Sequence, residues 1–131
     1  MSLLLDTSIL IRQQRGDSAV KKELRLLSKL FPAMPSITFI NVFEYLLGIK
    51  LWTKRKTEAA RFLGNFNVIN TTEKTPEVMT SLKLKYGKKG LQFSLSDLII
   101  ASLAVENDMV LVSSDEDFKD IEELKLQFID Y

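Results

Sequence analysis

Ser2-Leu3-Leu4-Leu5-Asp6-Thr7-Ser8 lies at one end of the chain, and Met109-Val110-Leu111-Val112-Ser113-Ser114-Asp115 lies near the other. Each is a short apolar block that stops at a carboxylate. Blocks of this length, bounded by turn formers, read as buried strands. Continuous apolar runs without alternation fit a parallel sheet covered on both faces. In such a sheet the residue just past the strand's C-terminal end faces the crevice where α/β proteins bind ligands. Several carboxylates meeting there repel one another unless a cation joins them. A site built of oxygen ligands alone suits Mg²⁺ or Mn²⁺.

Working outward, Thr7 or Ser8 is placed to cap a helix running through Ile9, Leu10 and Ile11 to about Gln14. Arg15-Gly16-Asp17 is a turn. Asp17 or Ser18 then starts a helix whose apolar positions Val20, Leu24, Leu27, Leu30 and Phe31 form one stripe. Pro32 and Pro35 end it, and Pro35–Thr38 reads as a second strand. Thr38 or Asn41 begins a helix that is apolar on most faces through Leu51, and so is expected to be buried. A further helix is expected over Thr57–Phe66, a strand over Asn67–Asn70, and a helix from Thr75 to about Tyr86 with Thr75 as its cap. Ser96 is the expected cap of the apolar helix Asp97–Glu106. Asn107-Asp108 turns into the strand Met109–Ser113. The segment 115–124 is polar and short, one or two helical turns, and Gln127–Ile129 is a candidate edge strand. This alternation predicts an α/β sandwich with a mainly parallel sheet. The 131 residues suffice for one domain with a substantial core, expected to span 1–131.

Composition removes whole classes of chemistry. There is no cysteine, so disulfides, thiolate zinc sites and thiol nucleophiles are excluded. There is no histidine either. That excludes Ser-His-Asp catalysis, His-ligated zinc and the His acid–base pair of metal-independent ribonucleases. No apolar run reaches the roughly 18 residues of a membrane span, and no signal-peptide pattern opens the chain. A cytoplasmic protein is the expectation. The net charge of +1 hides a split: residues 1–90 hold 16 basic and 7 acidic residues, whereas 91–131 hold 2 basic and 10 acidic. Such a split can separate a phosphate-attracting surface from a metal-holding one, or the halves can intermix and neutralise each other.

Four acids fall at the mouths of core elements: Asp6, Glu44, Asp97 and Asp115, with Asp117 beside the last. Each has a simpler alternative. Asp6 can cap a helix, Glu44 can pair with Lys50 or Lys54, Asp97 can answer a helix dipole, and Asp115 or Asp117 can start a turn. Glu44 is the most diagnostic, since an unpaired carboxylate in a buried helix is costly. Together they suit phosphodiester hydrolysis assisted by one or two divalent cations. Thr7, Ser8 and Ser113 are candidates to orient a carboxylate or water from behind. Gly48, one helical turn after Glu44, is a spacing that lets another backbone approach.

The motifs resemble those of the PIN-domain family, specifically VapC-type toxin ribonucleases of toxin–antitoxin pairs. The resemblance is carried by Leu4-Leu5-Asp6-Thr7-Ser8, by Ile37–Gly48 with its Glu and following Gly, by Asp97–Ala104, and by Leu111–Phe118, where a hydroxyl residue precedes an Asp and a Phe closes the segment. It implies a PIN-like three-layer α/β/α sandwich. It implies Asp6, Glu44, Asp97 and Asp115 as metal-binding and catalytic acids, with Asp117 as a further metal ligand. It also implies Mg²⁺ or Mn²⁺, a homodimer, a small antitoxin and an RNA substrate. Lys50, Lys54 and Arg55, with Lys56 and Arg61, form one candidate RNA-binding group. Lys88 and Lys89, with Lys83 and Lys85, form another. Trp52 and Tyr86 lie beside these groups, for stacking on bases or for packing. The helices Val20–Phe31 and Phe43–Trp52 carry excess apolar surface and are candidate interface elements.

Other strand-then-Asp folds fit less well. An aspartyl-nucleophile phosphatase needs an Asp where Ser8 stands, and a dinucleotide-binding domain needs glycines after the first strand. The rival from another class is a non-catalytic PIN-like module that binds RNA or protein.

Overall fold

Five strands form one wholly parallel sheet in the order β3-β2-β1-β4-β5 in a computed structural model that describes residues 1–49 and 56–130. The strands are β1 (Leu3–Leu5), β2 (Ser36–Thr38), β3 (Asn67–Ile69), β4 (Val110–Ser113) and β5 (Lys125–Phe128). The opening block, β1, is central, and β4 lies beside it with Leu3, Leu4 and Leu5 opposite Val110, Leu111 and Val112. All of these strand residues are buried. That burial explains why both blocks are apolar without alternation.

Among the described residues six α-helices link the strands: α1 (Thr7–Gln14), α2 (Ser18–Leu30), α3 (Phe39–Gly48), α4 (Lys56–Leu63), α5 (Thr75–Gly87) and α6 (Leu95–Glu106). Alternate residues of β1 divide the core. Leu3 and Leu5 pack with Ile9, Leu10, Val20, Leu27 and Tyr45 on one face, under α1 to α4. Leu4 packs with Leu82, Tyr86, Leu98, Ile100 and Phe118 on the other, under α5 and α6. The result is the expected three-layer α/β/α sandwich. Among the described residues no helix is long and apolar enough to cross a membrane.

Local chemistry sets the helix starts, at α5 and α6 differently from the expectation and at α1 by the simpler role open to Asp6. Asp6 itself caps α1, accepting from the Thr7 N–H at 2.9 Å, so Thr7 and Ser8 are left for other partners. Ser94, not Ser96, caps α6, because the hydroxyl that reaches the Asp97 N–H lies three residues before it. Thr75 is the first residue of α5 rather than its cap. Its hydroxyl accepts from the Thr72 N–H and donates to Glu106. The edge strand β5 begins at Lys125, two residues before the expected Gln127. Gly16 turns the chain between α1 and α2 with φ +82°, a conformation an L side chain rarely adopts.

α3 departs most from the buried helix its composition predicts. Tyr45 and Asn41 are fully buried, but Phe43 is 58% exposed and Leu47 67% exposed. In α2, Leu26 and Leu30 are likewise exposed. These two helices thus carry apolar surface outward. Apart from its chain neighbours and the backbone of its own helix, no described atom lies within 4 Å of where a Gly48 side chain would begin, so no other described backbone makes the close approach its spacing allowed.

Candidate metal centre

The parallel sheet brings the acids to one edge. Asp6 follows β1, Asp115 lies just past β4, Asp97 sits in the first turn of α6, and Glu44 lies in the middle of α3. Asp97, Asp115 and Asp117 each offer a carboxylate oxygen, and these oxygens lie within 4.8 Å of one another. None of the three is in an ion pair among the described residues. Their negative charges therefore converge without compensation from the side-chain cations of the described residues. An all-oxygen donor set of this size fits a hard divalent cation such as Mg²⁺ or Mn²⁺. Asp6 and Glu44 stand outside that triad but close enough to feel its field. Asp6 is destabilised as an anion by Asp97 and Asp115, and Asp97 by Asp115, Asp117 and Glu44.

Hydroxyl groups bind the acids together from behind. The buried Ser113 hydroxyl donates to Asp6 Oδ2 at 2.7 Å and accepts from the Asp115 N–H at 3.0 Å. One side chain thus ties β1 to the turn after β4. Asp115 Oδ1 in turn accepts from the Asp117 N–H, which opens the 3-10 helix Glu116–Asp120. The Thr7 hydroxyl donates to Glu44 Oε1 at 2.7 Å, and Ser8 Oγ lies 3.2 Å from Ser114 Oγ. From their pattern Thr38 and Asn41 are expected to serve the helix start alone. The structure uses both at that start, in a reciprocal capping box, and also extends an Asn41 hydrogen bond to Thr7. A buried asparagine in an otherwise apolar stretch was the only signal for that link.

Of the residues proposed to meet RNA, Lys50, Lys54 and Arg55 lie outside the described residues, as does Trp52. Lys88 is exposed. Lys89 pairs with Glu122 at 3.7 Å, and Lys85 bridges Glu122 and Glu123 in the turn that enters β5. That ties Lys89 to a different part of the sheet from the carboxylates past β4. Tyr86 is buried, its hydroxyl donating to Glu123 and accepting from the Glu122 N–H, so it packs rather than stacks on a base.

Burial is the largest influence on Asp6, raising its pKa from 3.8 to about 6. The Ser113 hydroxyl and Thr7 N–H oppose the rise, while Asp97 and Asp115 add to it. Asp97 is raised too, mainly by burial and then by Asp115. A carboxyl with a raised folded-state pKa binds more protons folded than unfolded, so stability falls as pH rises through that window. The depressed acids Asp17, Asp108 and Glu123 act oppositely, but their contribution is complete above their ordinary values of 3.8 and 4.5. Cation-free protein is therefore expected to lose on the order of 2 kcal/mol between about pH 4.5 and pH 6.5. Urea denaturation in chelator across that range checks this. Added Mg²⁺ should flatten the fall, and a stability that rises steadily through the window counts against the assigned burial of Asp6.

A family model described as PIN domain matches residues 3–124. No curated protein sequence matches the chain. Several solved structures do. A chain of VapBC2 from Rickettsia felis, bound to a DNA fragment from its promoter, is 26% identical with a TM-score of 0.83, over 99% of this chain and 100% of that one. A chain of a toxin–antitoxin complex from Klebsiella pneumoniae is 27% identical with a TM-score of 0.76, over 94% and 95%. VapBC-1 from nontypeable Haemophilus influenzae shares the fold at 20% identity, with a TM-score of 0.80 over 98% of both chains.

Proposed function

Since the chain belongs to the PIN domain family, we propose that it is a metal-dependent endoribonuclease and the toxin of a toxin–antitoxin pair. The observation that carries the nuclease reading is the convergence of Asp97, Asp115 and Asp117 within 4.8 Å, unneutralised among the described residues, with Asp6 and Glu44 beside them. The toxin reading is supported by the full-length likeness to chains of VapBC and of a Klebsiella toxin–antitoxin complex.

In this reading Asp97, Asp115 and Asp117 hold Mg²⁺ or Mn²⁺, and Asp6 and Glu44 complete the acidic set. Such an ion, when bound, supplies a water of lowered pKa and a Lewis acid for the phosphate. The chain's own work is to orient. Ser113 fixes Asp6 against the Asp115 backbone, and Thr7 holds one oxygen of Glu44. With no histidine available, carboxylates are the groups positioned to accept a proton at this edge. Lys88 and the basic segment 50–55 supply sequence-independent phosphate contacts. The exposed apolar residues of α2 and α3 form contact surfaces for a second copy or the antitoxin.

The test is cleavage of a mixed pool of structured and single-stranded RNA with Mg²⁺, with Mn²⁺ and with chelator. Expected is cutting with either metal and none with chelator. Folded protein freed of any bound partner that cuts under no condition would shift the reading to a non-catalytic PIN-like binding module.

A further inference from the structure

Behind Glu44 lies a chain of hydrogen bonds whose polarity can be read without ambiguity. Thr38 and Asn41 are both fully buried. Asn41 Oδ1 accepts from the Thr38 N–H at 2.8 Å and from the Thr38 hydroxyl at 2.8 Å. A backbone N–H can only donate, so the amide oxygen must face Thr38 and the amide nitrogen must face the other way. That nitrogen donates to Thr7 Oγ1 at 2.8 Å. The Thr7 hydroxyl owns one proton. With its oxygen already accepting from Asn41, that proton goes to Glu44 Oε1, 2.7 Å away. Three elements meet in this relay: the end of β2, the start of α1 and the middle of α3.

We infer that Asn41 is a positioning residue, which acts through the Thr7 hydroxyl to hold the Glu44 carboxylate in place beside the acidic cluster. The inference rests on the proposed metal site. The competing role for Asn41 is the helix cap alone, since it also completes the capping box of α3 with Thr38. The two roles separate by substitution. Asn41→Asp keeps an acceptor for Thr38, and so keeps the box, but turns the donor facing Thr7 into an acceptor. Thr7 must then divide its proton between two carboxylates. Thr7→Val removes the middle link and leaves the Thr38–Asn41 box whole.

The experiment is Mn²⁺ affinity by titration calorimetry on the full chain, for wild type, both single variants and the double variant, with circular dichroism to check folding. Loss of a partner that orients a metal ligand costs about 10-fold or more in metal affinity, and that is the expected loss for each single variant. The sign for Asn41→Asp is diagnostic. An added negative charge near the cluster would by electrostatics alone tighten cation binding, whereas the relay weakens it. The double variant should lose no more than the larger single loss, because both changes break one link. Affinity unchanged or tightened in Asn41→Asp, or losses that multiply in the double variant, overturn the inference. Where Asn41→Asp fails to fold, Thr7→Val carries the test, and wild-type affinity in it has the same consequence. Wild type that binds no Mn²⁺ overturns the metal site itself and this inference with it. Wild type that binds while the variants match it overturns the inference alone.

Discussion

Asp97→Asn is expected to lose more than about 100-fold in metal-dependent RNA cleavage while gaining stability in the absence of metal. The loss follows from position. Asp97 is one of three acids whose oxygens lie within 4.8 Å of each other, and even a group that only orients a metal ligand is worth about 10–100-fold. The gain follows from charge. Burial, then Asp115, Asp117 and Glu44, raise the Asp97 pKa, so its ionised form is strained in the folded protein at neutral pH. An isosteric amide relieves that repulsion. It gives up a first-turn interaction with the α6 dipole worth about 0.3–1 kcal/mol, a smaller effect than the crowding of three like charges. Cleavage assays and urea denaturation in chelator together check this. Stability and activity moving in opposite directions mark an acid kept for function at a cost to the fold. If the variant cuts RNA at the wild-type rate, Asp97 is not in the site.

What was legible in the sequence divides along physical lines. Leu3–Leu5 and Val110–Ser113 were readable as buried parallel strands because burial on both faces leaves only apolar choices, and their neighbouring acids followed at once. Motif order pointed to Asp6, Glu44, Asp97 and Asp115 with Asp117 as a neighbour, whereas the oxygens within 4.8 Å of one another are those of Asp97, Asp115 and Asp117, because no residue states a distance. Hydroxyl roles were less legible. Ser94 and Ser96 are the same residue type two positions apart, and only the backbone decides which one reaches the Asp97 N–H. Apolar content misled in α3, where Phe43 and Leu47 read as core but face outward. Hydrophobicity records that a side chain avoids water in some assembly, not that its cover belongs to the same chain. Of the two readings the charge split left open, each holds in a different place. Lys85 and Lys89 intermix with Glu122 and Glu123, whereas the three clustered aspartates stay without such partners among the described residues.

Phe118→Ala is expected to lower stability and cation affinity together. Phe118 is fully buried within the 3-10 helix, packed in the same core as Leu4, Leu82, Tyr86 and Leu111. It follows Asp117 directly, and its N–H reaches back to the Asp115 carbonyl at 3.4 Å. That contact is long; the turn carrying both acids is held by the shorter Asp115 and Asp117 N–H bonds at 3.0 and 2.9 Å and, beneath them, by the buried ring. Truncation of a buried Phe costs about 3–5 kcal/mol, a third or more of the stability of many domains this size. A melting temperature lowered by roughly 10 °C or more is the expected readout. At temperatures where the variant stays folded, its Mn²⁺ affinity should also fall, since the turn can move once the ring is gone. Phe118→Leu, which keeps most of the apolar volume, should sit between wild type and alanine on both measures. The contrast with Asp97→Asn is the informative part. One residue supplies charge to the site and strains the fold, and the other supplies no charge but anchors the backbone that does. If Phe118→Ala melts early yet binds Mn²⁺ as wild type does, the turn is held by its hydrogen bonds to Ser113 and Asp115 rather than by packing.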